Sequence, residues 1–235
     1  MKSLKMMLSA TAMLVASITV NAQTADDIIS KHLDAIGGKE KLAQVKSIVI
    51  EATVNAMGND APAKTTLLVG KGFKTETEMM GQQVVQTVTD KGGWAITPQT
   101  GGSAQAIPDE QYASAKGSLY TDPFLDYAAN GYTVELKGTE GGAYKLELKS
   151  ANNAVTTYYI DSTTYNITKA VTSINMMGND IDLTYSFSDF KKTDFGITRA
   201  YTTEIAYGSM FSMTSTVKTI TINSDVDPKV FEMPK

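Results

Sequence analysis

The sequence holds no cysteine. That excludes disulfides, thiolate metal sites and cysteine nucleophiles, and also a bacterial lipoprotein anchor, which needs a cysteine at the mature N-terminus. There is one histidine, His32, one tryptophan, Trp94, and one arginine, Arg199. A hydrolase triad needs a base to take the nucleophile's proton. His32 stands beside Leu33 on an amphipathic segment, where a half-buried or surface side chain is expected. No G-x-S-x-G elbow, H-E-x-x-H helix, Walker loop or G-x-G-x-x-G turn is present. The acid pairs Asp180/Asp182 and Asp225/Asp227 stand at strand ends and turns without the spacing of a calcium loop. No catalytic residue, metal or cofactor is expected.

Positive charge is scarce as well. Lysine and arginine total 21 against 25 acids, a net charge of −4. With so few guanidinium forks, a surface that tracks nucleic-acid phosphates is not expected, nor is electrostatic attachment to anionic lipid heads. A lipid ligand would have to be held by its tails.

Long apolar runs are also missing. The longest, Met6 to Val20, is about 15 residues, short of the roughly 20 that a spanning helix needs. Lys2 and Lys5 precede it and Val20-Asn21-Ala22 follows, the pattern of a secretory signal cut after Ala22. The mature chain is expected to start at Gln23, with a balance of 19 basic to 25 acidic residues.

What remains is mostly period-2 sequence. Ile29, Leu33 and Ile36 mark one helix over 26–36, with Thr24 as its cap and Gly37-Gly38 at its end. A further turn or two is expected over 39–46, with Leu42 and Val45 inward. From Ser47 the spacing changes to alternation: Ile48, Ile50, Ala52 and Val54; then 73–79, 132–137 and 144–149; then Ile181, Leu183, Tyr185 and Phe187. Such recurring runs predict an antiparallel meander, sandwich or barrel. Between Pro108 and Asn130 the alternation lapses, and one or two short helices are expected, the second capped by Asp122 with Pro123 at its first position. This segment carries too much apolar surface for a solvated loop, so it should lie against the concave side of the sheet. No linker divides 23–235, which reads as one domain.

The words NAMGND (55–60) and NMMGND (175–180) nearly repeat. A thioether metal site built on Met57, Met79, Met80, Met176, Met177 and Met210 would ordinarily recruit histidine or cysteine. The words read better as hairpin turns at Gly178-Asn179 and, more loosely, Gly58-Asn59, with Gly208-Ser209 of the same form. The methionines either line a rim or cap a packed core.

Three stretches carry a family resemblance: TDKGGWAITP (89–98), with Asp90, Gly93, Trp94 and Pro98; KGFKTET (71–77), led by Phe73; and DVDPKVFEMPK at the C-terminus, with Asp227, Pro228, Phe231 and Pro234. With the N-terminal AIGGKEKLAQVKSIVIEATV, the order of elements resembles the periplasmic outer-membrane lipoprotein carriers (LolA-like) and their wider superfamily. The resemblance implies a mostly β fold, a strongly curved antiparallel half-barrel of about eleven strands with helices on its concave face: N-terminal helices over 23–46 and a lid over 108–130. It implies a periplasmic monomer that is not an enzyme and takes acyl chains of lipoproteins or lipids towards the outer membrane, with an inner- or outer-membrane protein as donor or acceptor. The expected cavity wall is Leu67, Val69, Phe73, Trp94 and Ile96 from early strands, Leu119, Phe124, Leu125 and Tyr127 from the lid, and Leu183, Tyr185 and Phe187 from late strands. The family's lid is held by an early-strand arginine. Here the only arginine lies late, which argues against a lid latched by that group. An envelope sensor or protein-interaction module on the same fold is the alternative, and a secreted enzyme would need a converging acid–base pair.

Overall fold

The computed structural model describes residues 23–79, 81–176 and 179–234. The signal segment, Met80, Met177, Gly178 and Lys235 lie outside them. Helix α1, Ala25–Ala35, begins as its sequence dictates. Thr24 Oγ1 accepts from the Asp27 N–H while the Asp27 carboxylate accepts from the Thr24 N–H, both at 3.1 Å, and Asp26 and Asp27 sit at the positive end of the helix dipole. Its buried stripe is Ile28, Ile29, His32 and Leu33. Gly37 and Gly38, at φ 133° and 91°, end it where a side chain at Gly37 would press on Ile197. A single turn, α2 (Lys39–Leu42), follows.

Thirteen strands then form one antiparallel sheet. In chain order they are β1 (Ser47–Ala56), β2 (Asn59–Leu68), β3 (Gly72–Met79), β4 (Gln82–Thr89), β5 (Gly93–Ile96) and β6 (Gln105–Ala106); then β7 (Thr133–Glu140), β8 (Ala143–Lys149), β9 (Val155–Asp161), β10 (Ile167–Met176), β11 (Asn179–Lys192), β12 (Thr198–Tyr207) and β13 (Phe211–Ile222). The spatial order is β6-β5-β4-β3-β2-β1-β13-β12-β11-β10-β9-β8-β7. First and last strands therefore meet in the middle, and β6 and β7 are the two edges of an unclosed, curved half-barrel. The count exceeds eleven in part because β6 is two residues long, too short to leave a period in the sequence.

That order has a topological consequence. The chain from β6 to β7 must travel from one edge of the half-barrel to the other, across its open face. This connection contains the 108–130 segment expected as a lid. It begins with α3 (Asp109–Ala115) and a 3₁₀ turn, Lys116–Leu119, packed on β3 and β4. The expected second helix does not form: after Asp122 the chain runs through consecutive turns to Gly131. Asp122 Oδ1 does accept the Phe124 N–H at 2.9 Å, but Asp126 adopts a left-handed φ of 54°, which no α-helix accommodates.

The hairpins correct two further expectations. Met57 and Gly58, both at positive φ (53° and 82°), form a tight two-residue turn, so β2 starts at once at Asn59. Pro62 lies inside β2, just before its pairing with β3 begins at Ala63; its missing N–H therefore costs no bond there. The Gly208 turn has three residues, closed by the Met210 N–H on the Tyr207 carbonyl at 3.0 Å. The turn expected at Gly178-Asn179 falls partly outside the described residues, but Asn179 itself is paired with Met176 in the β10–β11 ladder. Met57 and Met210 are 74% and 57% exposed, so these two belong to a rim and not to a core. Among the described residues no helix is long and apolar enough to cross a membrane.

Candidate functional site

Directly opposed residues of antiparallel strands share a face, so the register sorts the expected wall. Ile48, Leu67, Phe73 and Val88 form one row across β1 to β4; Thr66, Lys74, Thr87 and Trp94 form the next, on the other face. Ile48, Leu67 and Phe73 of the first row belong to the main core with α1, Phe124, Leu146, Leu148 and Ile160, which makes it the inner, helix-bearing side. Leu67, Val69 and Phe73 lie on that side, in or against the main core.

Trp94 and Ile96 do not. They form a separate cluster with Val85 on the outer face. The C-terminal 3₁₀ turn, Pro228–Phe231, closes over it. The Trp94 indole N–H donates to the Phe231 carbonyl at 2.9 Å, and the Phe231 ring fills the space that a side chain on Gly72 would need, 2.5 Å from the position of its Cβ. Alternation located Trp94 on a strand but could not say which face turned inward.

The late strands do contribute to the inner wall. Leu146, Tyr158, Ala170, Tyr185 and Ile205 form a row across β8 to β12, continuous with the core at Leu146. Leu183 lies opposite Tyr207, and Tyr207 opposite Phe211. Two stacked aromatic pairs run along this wall, Tyr185 with Phe187 and Tyr207 with Phe211, at centroid separations of 6.3 and 4.5 Å. These four rings are half-buried and stand outside the main core cluster. Burial, with Tyr207 beside it, pushes the Tyr185 phenol up to about 12. The wall is thus apolar in effect despite its hydroxyls.

The lid is held against this face by apolar and polar contacts. Leu119 and Phe124 are fully buried, and Leu125 and Tyr127 pack at the core margin. The Phe124 ring meets His32 and Tyr158 edge-on. A groove of about 470 Å³ runs between α1 and the lid, past Ile29, Leu33, Phe124 and Tyr127. Two polar ties bridge the groove: the Tyr127 hydroxyl donates to Asp26 at 2.8 Å, and Lys39 meets Asp126 at 2.8 Å.

The most informative contacts are those that sequence reasoning missed. His32 is not at the surface: it is 2% exposed, facing Asp122, which is 5% exposed. Its Nε2 lies 3.0 Å from Asp122 Oδ2 and its Nδ1 lies 2.7 Å from the Tyr165 carbonyl. A carbonyl and a carboxylate can only accept, so both ring nitrogens must donate and the ring is an imidazolium. Burial alone would lower the His32 pKa, but the Asp122 charge and hydrogen bond raise it beyond its ordinary value. Burial alone would raise Asp122, but His32 and the Phe124 N–H hold it below the usual carboxylate range. An imidazolium with both nitrogens engaged has no lone pair to offer as a base.

Arg199, half-buried on β12, completes the cluster by donating from Nη1 to the Thr121 carbonyl at 2.9 Å. Burial draws its pKa down while Asp122 opposes the shift, and a guanidinium stays charged through such a change. The 108–130 segment is therefore tied at Thr121 to an arginine of a late strand, where an early-strand arginine is lacking. The sequence signal was available in principle: the chain's only histidine and only arginine converge on Thr121-Asp122.

Neither a family model nor a curated protein matches the sequence. Solved structures do match in fold. A LolA superfamily protein from Nitrosomonas europaea aligns with a TM-score of 0.58 at 14% identity, covering 90% of this chain and 98% of that one. A domain named for outer-membrane lipoprotein sorting, from Vibrio parahaemolyticus, aligns with a TM-score of 0.54 at 14% identity over 87% and 94% of the two chains. A DUF1329 family protein from Desulfovibrio piger gives 0.53 at 11% identity over 90% and 98%. The fold is LolA-like, in a diverged form.

Proposed function

We propose that this LolA-like half-barrel is a non-catalytic periplasmic carrier, which binds acyl chains of lipoproteins or lipids on its inner face and passes them towards the outer membrane. The observation that carries the reading is the wall of Leu183, Tyr185, Phe187, Tyr207 and Phe211, half-buried aromatics for the most part that continue the core beyond its main cluster. A single domain exported by its signal segment and cut near Ala22 would meet such ligands between the two membranes. Each CH₂ covered is worth about 0.8 kcal/mol, so a 16-carbon chain gains on the order of 10 kcal/mol, from which ordering and lid displacement subtract. Leu67, Val69, Phe73, Leu119, Phe124, Leu125 and Tyr127 would then exchange lid contacts for contacts with the chain.

Native mass spectrometry of the mature protein, purified from a bacterial periplasm and paired with lipid extraction, tests this. A stoichiometric acyl adduct that disappears in Tyr185→Asp is the expected result. A protein that stays unliganded when offered lipids and acylated peptides would sink the carrier reading. The exposed Met57 and Met210 would then favour the second reading, a sensor or interaction module that contacts a protein partner through its rim.

A further inference from the structure

The polar cluster under the lid is not electrically balanced. His32 and Arg199 each bring a positive charge, and Asp122 is the carboxylate that acts on both. One positive charge is left over in a site where charge is poorly solvated. Lys191, opposite Arg199 in the β11–β12 pairing, does not change the sum, because it is tied to Asp189 at 2.7 Å. A guanidinium carries five N–H donors, and among the described residues Arg199 spends one, on the Thr121 carbonyl. Beside that carbonyl is a second unmet group. Thr121 is 4% exposed, yet its Oγ1 has no hydrogen-bond partner among the described residues. Buried hydroxyls are nearly always satisfied, so the Thr121 hydroxyl and the surplus cation together offer an anion both a donor and a counter-charge.

Position along the strand supplies the rest. Arg199, Thr203, Ile205 and Tyr207 alternate onto one face of β12, and Tyr207 lies opposite both Leu183 and Phe211 on the aromatic wall. Eight residues at about 3.3 Å each separate Arg199 from Tyr207, roughly 26 Å, a run comparable with an extended long acyl chain. Cationic donors stand at one end of the run and an apolar floor follows from it.

We propose that the carried ligand has a single negatively charged head, a carboxylate or a phosphate, and that Arg199 and Thr121 form its head-group site. This rests on the carrier reading and narrows it to anionic amphiphiles. In the closed lid the Thr121 carbonyl holds Arg199; an incoming anion replaces that carbonyl, neutralises the surplus charge and accepts the Thr121 hydroxyl. Head-group binding and release of the lid are then one exchange.

The test compares palmitate, hexadecyl phosphate and methyl palmitate by titration of the mature wild-type protein. At least one of the two acids should bind roughly tenfold or more tightly than the neutral ester, as charge-assisted hydrogen bonds are the strong ones. Whichever acid is preferred identifies the head. Thr121→Val, which breaks no described hydrogen bond of the side chain, should reduce the preference by about threefold or more. Arg199→Gln should abolish it, with Arg199→Lys restoring part. Equal binding of acids and ester by the wild type overturns the head-group site while leaving the carrier reading intact. Absence of binding by all three overturns both.

Discussion

Replacing Asp122 by alanine leaves the His32 imidazolium and the Arg199 guanidinium without the buried carboxylate that acts on both. The N–H of Phe124 loses its acceptor at the same stroke. Breaking a buried ion pair by removing one partner costs about 3–5 kcal/mol, chiefly because a charge is stranded. For a mature chain of about 210 residues with a urea m-value near 3 kcal/mol/M, the midpoint should fall by roughly 1–1.7 M with m unchanged. His32→Leu combined with Asp122→Ala should cost less than the sum of the single variants, by an interaction energy of at least about 1 kcal/mol.

The pH dependence has a definite sign on each side. His32 is raised in the folded state, so its contribution is complete below its ordinary value of 6.5 and is lost as pH rises through the folded value. Asp122 is depressed, so its contribution is complete above 3.8 and is lost as pH falls through its lower folded value. The groups facing the pair are Arg199 from β12, the Tyr158 ring from β9 and the Tyr165 carbonyl from the following turn. Tyr158, pushed up by burial and by Asp122, stays neutral throughout this range. Wild type minus Asp122→Ala should therefore be largest between about pH 4 and 6.5 and shrink on both sides. A difference that is flat from pH 4 to 9, or that grows above pH 7, would refute the ion-pair reasoning.

Trp94→Ala, on the outer cluster, should destabilise the fold by about 3–5 kcal/mol in a urea titration yet leave any acyl adduct in place at matched stability; loss of the adduct without loss of stability would return Trp94 to the binding wall. Gly72→Ala should cost about 1–3 kcal/mol and loosen the C-terminal turn, because its Cβ would meet the Phe231 ring at 2.5 Å. Faster hydrogen exchange at the Val230 and Glu232 amides checks this, and unchanged protection counts against it. Met57→Gly should raise the stability of the β1–β2 hairpin by about 0.5–1 kcal/mol, since Met57 is held at φ 53° with its side chain in solvent. A lower Tm would mean that the side chain packs more than its exposure implies.

Local patterns in the chain were enough to set its class. Thr24, Asp27 and the Ile29–Leu33–Ile36 spacing specify α1 because capping and a 3.6-residue period act over a few residues. Alternation specified the strands, and the apolar content of 108–130 specified a segment that must be covered. Helix against turn after Asp122 was decided elsewhere: by Asp126 turning left-handed and pairing with Lys39, more than eighty residues upstream. Period-2 sequence also cannot say which face of a strand turns inward. For Trp94 that was settled by the C-terminal turn, whose Phe231 arrives 137 residues later along the chain. The same is true of the site. His32, Asp122 and Arg199 are separated by 90 and then about 80 residues, and each alone reads as a surface polar group. Only the order of the thirteen strands, which sends the lid across the open face between β6 and β7, brings Asp122 against His32 and the neighbouring Thr121 carbonyl against Arg199. Residue types fix which charges exist; long-range packing fixes whether they are solvated, paired or left over.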